Sequence, residues 1–172
     1  MTLEREVKLT ASPGFRLPDL SGLVPDCTSG QPDTRRLFTS YFDTSDLRLA
    51  RWGCSLRYRT GEGWTVKLPA AGEEGVLARL EHRFEGRARR PPEEAVDLLR
   101  AYIRGARLGP VASLRTVRRR VELRDGAEQV VAEVVDDEVS VMEGRRVARR
   151  FREVEVEARD GARPDLLLEL SG

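Results

Sequence analysis

The feature that most constrains this chain is an alternation of period two whose polar faces are sorted by charge. In the first nine residues Leu3, Val7 and Leu9 share one face, while Glu4, Glu6 and Lys8 share the other. Successive side chains on a strand point to opposite sides, so this pattern is a strand's and not a helix's. It recurs along the chain. Leu56 and Tyr58 oppose Ser55, Arg57 and Arg59, and Val66 and Leu68 oppose Thr65 and Lys67. Leu80, His82 and Phe84 oppose Glu81, Arg83 and Glu85. Val117, Val121 and Leu123 oppose Arg118, Arg120 and Glu122, and Val154 and Val156 oppose Glu153, Glu155 and Glu157. An antiparallel sheet with one wet face alternates in the same way. Ordinary wet faces mix charges with Ser and Thr, however, and like charges stacked along one face repel unless something opposite compensates them.

Eight segments read as strands: residues 3–9, 36–42, 54–60, 64–68, 78–86, 115–124, 128–135 and 147–158. Gly61-Glu62-Gly63 and Asp125-Gly126 are hairpin signals, and Asp43 to Asp46 reads as a turn. A helix over 91–104 opens on Pro91-Pro92-Glu93-Glu94 and carries Val96, Leu99 and Ile103 as its stripe. The spacing of Phe15, Leu17, Leu20 and Leu23 predicts a short second helix over 12–23, interrupted by Pro18, and another helix starts after Pro164. Eight strands can close into a barrel without free edges. If the apolar faces pack outward against the helices, the charged faces point inward. A cavity lined by both signs of charge is costly unless it holds a polyanion on its bases and divalent cations on its acids.

Composition narrows the function. Thirty basic and 29 acidic residues leave a net charge of +1, which argues against a general nucleic-acid or membrane coat. Of the bases, 28 are Arg, so Lys8 and Lys67 stand out as positions where a compact ammonium replaces a planar fork. One His and two Cys without a metal-binding spacing exclude a His/Cys zinc site and any disulfide framework. A metal here would be a hard ion held by carboxylates. No apolar run is long enough for a membrane span, and the charged N-terminus is unlike a signal peptide, so a cytoplasmic protein is expected.

The residues at this point resemble a known family. Glu4-Arg5-Glu6-Val7-Lys8 is similar to the ExExK signature of the CYTH domain, the triphosphate tunnel metalloenzymes. Tyr41-Phe42-Asp43-Thr44, Leu47, Leu49, Ser55 to Arg59 and Thr65-Val66-Lys67 follow in that family's order. Phe151 to Glu157 is similar to its closing acidic strand. The resemblance implies a mainly β (α+β) fold, an eight-stranded antiparallel β-barrel or tunnel with a few flanking helices, as one domain over 1–172. It implies Mg²⁺ or Mn²⁺ held by Glu4, Glu6, Asp137, Glu153 and Glu155, and phosphates bound by Lys8, Arg57, Arg59, Lys67, Arg118 and Arg120. Lys8, Lys67 and Arg57 would carry the catalytic contacts. Glu133 shares a face with Asp137, which favours Asp137 over Asp136 as the inward acid unless a bulge intervenes.

What the resemblance implies chemically is a metal-dependent triphosphatase, with inorganic tripolyphosphate as the leading substrate. A class IV adenylyl cyclase, a thiamine triphosphatase and a non-catalytic polyphosphate- or nucleotide-binding module are the alternatives. The expected partner is a small triphosphate, with polyphosphate also considered, and with no membrane or nucleic acid. Family members continue into a further C-terminal helix, and many bacterial ones into a helical CHAD domain. A chain stopping at Gly172 is therefore either a short form or a piece cut from something longer. Trp52 and Trp64 read as packing or turn anchors, His82 as an outer residue, Asp43 as a turn organiser, and Arg145, Arg146, Arg149 and Arg150 as a solvated hairpin or an anion funnel.

Overall fold

A computed structural model describes residues 1–72, 74–159, 162 and 166–171, with the backbone alone for 168, 169 and 171. Pro164 and Gly172 lie outside the described residues. The strands are β1 (Thr2–Ala11), β2 (Thr28–Ser29), β3 (Asp33–Asp43), β4 (Ser55–Arg59), β5 (Gly63–Pro69), β6 (Leu77–Phe84), β7 (Gly109–Arg124), β8 (Val130–Glu143) and β9 (Arg146–Ala158). The helices are α1 (Arg48–Arg51), α2 (Glu93–Ile103) and α3 (Leu166–Ser171). The sheet order β7-β3-β4-β5-β6-β1-β9-β8 closes through a β7–β8 pairing into an eight-stranded antiparallel barrel. The two residues of β2 pair with the end of β7, beyond the point where β3 leaves it.

The barrel is inside out. Its apolar residues form two cores on the outer surface. One joins Phe42, Leu56, Trp64 and Val66 to Ala95, Leu99 and Ile103 of α2. Each fully buried Leu there stabilises the fold by roughly 1.5–3 kcal/mol. Trp64 packs edge-on against Phe42, with centroids 4.8 Å apart, and its Nε1 donates to the Arg87 carbonyl at 3.1 Å. The other core joins Val7, Val121, Val134, Val154 and Val156 to Leu20, Val24, Leu166 and Leu167. The β4–β5 hairpin requires Gly63, which has φ 84° and leaves room for a Cβ only 2.9 Å from the Phe84 carbonyl oxygen.

Two expectations need correction. Residues 12–23 form no helix; they cross the barrel as turns and irregular chain, with Leu20 buried beneath. Pro13 and Pro18 lack N–H donors, and Gly14 and Gly22 favour turns over helix, so the apolar spacing is used by a strap instead. The strands are also longer than the turn signals predicted. β7 starts at Gly109 and β8 runs on to Glu143, straight through Asp136-Asp137. Both acids are tolerated in mid-strand because each meets an arginine: Arg152 binds Asp136 bidentately at 2.6 and 2.7 Å, and Arg118 binds Asp137 at 2.6 Å.

Candidate active site

The polar faces of all eight barrel strands converge on one cavity of about 640 Å³. Its lining holds ten basic and eight acidic side chains, so unlike charges compensate across the tunnel instead of along one strand. Ten of the eleven residues predicted for the site line it: Glu4, Lys8, Arg57, Arg59, Lys67, Arg118, Arg120, Asp137, Glu153 and Glu155. Glu6 shares their parity but is 2% exposed and closed off by its ion pair with Arg79. No register shift separates Glu133 from Asp137, so both face inward while Asp136 points out to Arg152.

The acids divide into two groups. Asp137, Glu153 and Glu155 offer carboxylate oxygens all within 4.8 Å of one another, the one such trio among the described residues. They come from the adjacent strands β8 and β9, where Asp137 faces Glu153 in register and Glu155 follows two residues on. Lys8 Nζ lies 2.6 Å from Glu155 and 3.5 Å from Glu153. Arg118 donates through Nε to Asp137 at 2.9 Å and lies 3.3 Å from Glu155. Burial pushes the Glu155 carboxyl up, but Lys8 and Arg118 outweigh it and hold it at about 2. Burial dominates at Asp137 and Glu153, and both are raised. Burial, then Glu155, raises Glu6 as well.

Glu4 and Glu6 stand apart from this trio, each closed onto a base. Lys67 Nζ sits 2.6 Å from both Glu4 oxygens and 3.4 Å from Glu81. Arg59 donates to Thr39 Oγ1 at 3.1 Å and to Glu62 at 3.2 Å. Burial, then the neighbouring Arg57, lowers the Arg59 guanidinium. Arg120 reaches Glu133 at 3.1 Å and Glu122 at 3.3 Å, although its Nε is buried without a partner. Arg57 differs from all of these. Its Nε is buried and unpartnered, and among the described residues no carboxylate lies within 4.0 Å of its guanidinium.

Sequence reasoning passed over Arg79, Glu81, Arg83 and Arg159, all of which line the cavity. Parity was the available signal, since Glu81 and Arg83 sit opposite His82, and Arg159 continues the face of Glu155 and Glu157. Several residues outside the site have structural roles. Asp43 accepts from the backbone N–H groups of Thr44, Leu49 and Ala50 at 2.7, 2.9 and 3.0 Å, fixing α1. Trp52 is exposed on the surface, and His82 lies on the outer face beside Val66.

The donor set of the trio suits a hard divalent cation, which takes carboxylate oxygens and keeps several waters. Lys8 and Arg118 supply positive charge to the same carboxylates, which keeps three neighbouring acids compatible with folding. Arg57, Arg59 and Lys67, with Arg118 beside the trio, present forks and an ammonium suited to phosphoryl oxygens. No helix among the described residues is long and apolar enough to cross a membrane.

A family model for the CYTH domain matches residues 2–170. Two curated relatives, both uncharacterized proteins of Mycobacterium tuberculosis (strains CDC 1551 and H37Rv), are 32% identical over 141 residues. That match covers 80% of this chain and 27% of each relative, so the chain spans a minor part of their length. Among solved structures, a proposed adenylate cyclase from Bacillus halodurans is similar at 20% identity, with a TM-score of 0.52 over 78% of this chain and 70% of that one. At that identity the likeness concerns the fold.

Proposed function

The chain belongs to the CYTH family, and from that premise we propose that it is a divalent-metal-dependent hydrolase of triphosphates, acting best on inorganic tripolyphosphate. The observation that carries this reading is Arg57, a guanidinium facing the cavity with a buried Nε and no partner. A buried unpaired donor costs free energy unless a ligand satisfies it. A phosphoryl group supplies both the acceptors and the charge.

In this reading Arg57, Arg59 and Arg120 hold non-bridging phosphate oxygens, with Lys67 releasing part of its hold on Glu4 to do the same. Arg118 spans the phosphate side and the acidic trio. Lys8, kept protonated between Glu153 and Glu155, is placed to donate toward the oxygen that leaves as pyrophosphate. Water attacks the terminal phosphorus, the bond to the bridging oxygen breaks, and pyrophosphate and phosphate result. Mg²⁺ or Mn²⁺ held by Asp137, Glu153 and Glu155 would supply neutralisation of charge on the phosphoryl oxygens. Glu4 and Glu6 serve here by holding Lys67 and Arg79 in place, in contrast to the ligand role that the family resemblance implies for them.

One observation favours a second reading. Leu37, Leu114 and Val139 form an apolar stretch of the lining beside Tyr41. An inorganic chain has no use for such a wall, whereas the organic group of ATP or thiamine triphosphate could rest on it. The test is a panel of tripolyphosphate, ATP and thiamine triphosphate with Mg²⁺ or Mn²⁺, reading phosphate, pyrophosphate and cyclic AMP. Tripolyphosphate should give the highest kcat/KM. A tenfold preference for ATP or thiamine triphosphate, or cyclic AMP as product, would overturn the substrate assignment. Tight binding without turnover of any of the three would make the tunnel a binding module.

A further inference from the structure

The outer wall of the barrel is covered unevenly. Helix α2 packs on β5 and β6, α1 on β3 and β4, and α3 on β9 and β1; the residues of β7 and β8 that share a core with α3, Val121, Leu123, Ala132 and Val134, all lie in the second half of β7 and the first half of β8. The strap of residues 12–27 covers only the end of β7 and the neighbouring stretches of β8 and β9, through Leu20 and Val24. A bare sector remains across the middle of β3, the first half of β7, the far half of β8 and the start of β9.

Register fixes what this sector presents. Phe38 faces Arg115, Arg115 faces Ser140, and Ser140 faces Arg150, all with outward parity. Arg36 follows Phe38 on the same face. Phe38 is 51% exposed, and the Arg115 guanidinium lies 5.8 Å above its ring. Among the described residues Arg36, Arg115 and Arg150 have no carboxylate within 4.0 Å, whereas nearby Arg119 and Arg146 are paired with Glu138 at 2.8 Å and Glu143 at 2.7 Å. The net charge of +1 is a sum over the whole chain and does not exclude this local excess.

We propose that this bare sector is a docking surface for single-stranded nucleic acid, gripping phosphates through Arg36, Arg115 and Arg150 and stacking one base on Phe38. An exposed ring flanked by Arg36 and Arg115, with a third unpaired guanidinium, Arg150, two strands beyond Arg115, matches a ligand that carries regular negative charge and flat π-faces together. An acidic protein segment would satisfy the arginines but gives no reason for an open aromatic ring, and protein hot spots sit in desolvated pockets, not on open sheet. From Phe38 to Arg150 the patch crosses three strand spacings, roughly 14 Å at about 4.8 Å each.

The test uses the whole chain and a fluorescein-labelled oligouridylate with a 5′-hydroxyl, about 12 nucleotides long, within the site sizes of single-strand binders. The 5′-hydroxyl leaves the tunnel no triphosphate to hold. Anisotropy should show binding whose log K falls against log salt with a slope of about −2, as for three phosphate contacts to a single strand. Arg115→Ala with Arg150→Ala should reduce that slope to about −0.7. Phe38→Ala should weaken binding about tenfold and leave the slope unchanged. Saturating tripolyphosphate should not displace the oligonucleotide, and tripolyphosphate turnover should be the same in all three proteins. No binding at low salt, binding indifferent to these substitutions, or displacement by tripolyphosphate would overturn the proposal. Equal competition by poly-glutamate at matched charge would also overturn it, in favour of an acidic protein partner.

Discussion

Replacing Arg57 by Ala should separate binding from folding more cleanly than any other change in the tunnel. Most bases there are tied to acids: removing Lys67 would take away the 2.6 Å partner of the buried Glu4. Arg57 has no carboxylate within 4.0 Å among the described residues; in the empty protein it repels the Arg59 guanidinium and attracts the more distant Glu81 carboxylate, two effects of opposite sign. Its loss should therefore leave the melting temperature nearly unchanged. With a triphosphate bound, the same fork would make charge-assisted bonds to phosphoryl oxygens. Losing one partner of a desolvated charge pair costs about 3–5 kcal/mol, which corresponds to roughly 10²–10⁴ in kcat/KM at about 1.36 kcal/mol per decade. Phosphate release under subsaturating substrate measures the first effect and thermal melting the second. A kcat/KM within threefold of the parent would refute the reading of Arg57 as a phosphate ligand. A fall in Tm of more than about 4 °C, roughly 1 kcal/mol or more for a domain of this size, would show that it supports the fold instead.

Other perturbations probe other parts of the tunnel. Mg²⁺ or Mn²⁺ should raise the melting temperature of the parent, and Glu153→Gln should abolish both that shift and turnover while the protein stays folded. Burial, only partly offset by Arg159, lifts the Glu157 carboxyl from its ordinary 4.5 to about 7. Its folded pKa exceeds its unfolded one, so the folded state binds the extra proton and stability falls as pH rises through that window. Glu157→Gln should thus stabilise by about 1–2 kcal/mol at pH 8, allowing for a partly exposed side chain, and have no effect at pH 4, as read from paired denaturant curves. Asp136→Ala should cost about 3–5 kcal/mol by stranding Arg152, while Asp136→Leu with Arg152→Met should recover most of that loss; equal melting of single and double variants would contradict this account.

Parity made the barrel and most of its interior readable before any coordinates. Lys8, Arg57 and Glu155 read as inward because their neighbours are Val, Leu or Tyr, and Asp137 is favoured over Asp136 because it shares a face with Glu133. What parity does not encode is partnership across strands. Asp136-Asp137 reads as the end of a strand only while Arg152 and Arg118 are out of sight, and no pattern in the sequence announces that Lys67, 63 residues away, closes on both oxygens of Glu4. The strap at 12–23 was misread for a different reason. Phe15, Leu17 and Leu20 have spacing that a helix could use, but burial against an existing sheet selects side chains and not backbone, and two prolines removed the helical option. Helix α1 is too short to carry a period; it exists because Asp43 holds its first N–H groups.

A wall one residue thick also affects how such a protein can change over generations. Leu56, Arg57 and Tyr58 are consecutive, yet Leu56 and Tyr58 belong to the packing beneath α2 while Arg57 belongs to the tunnel. Each strand thus interleaves two sets of positions, one packing the outer cores and the other lining the tunnel. Substitutions in the second set leave the outer core undisturbed; an unpaired position such as Arg57 can change alone, whereas paired positions such as Lys67 and Glu4 must change together to avoid an unstable intermediate. Descendants of one barrel are free to diverge in the anions they accept, and the trace left in their sequences would be conservation at every other residue.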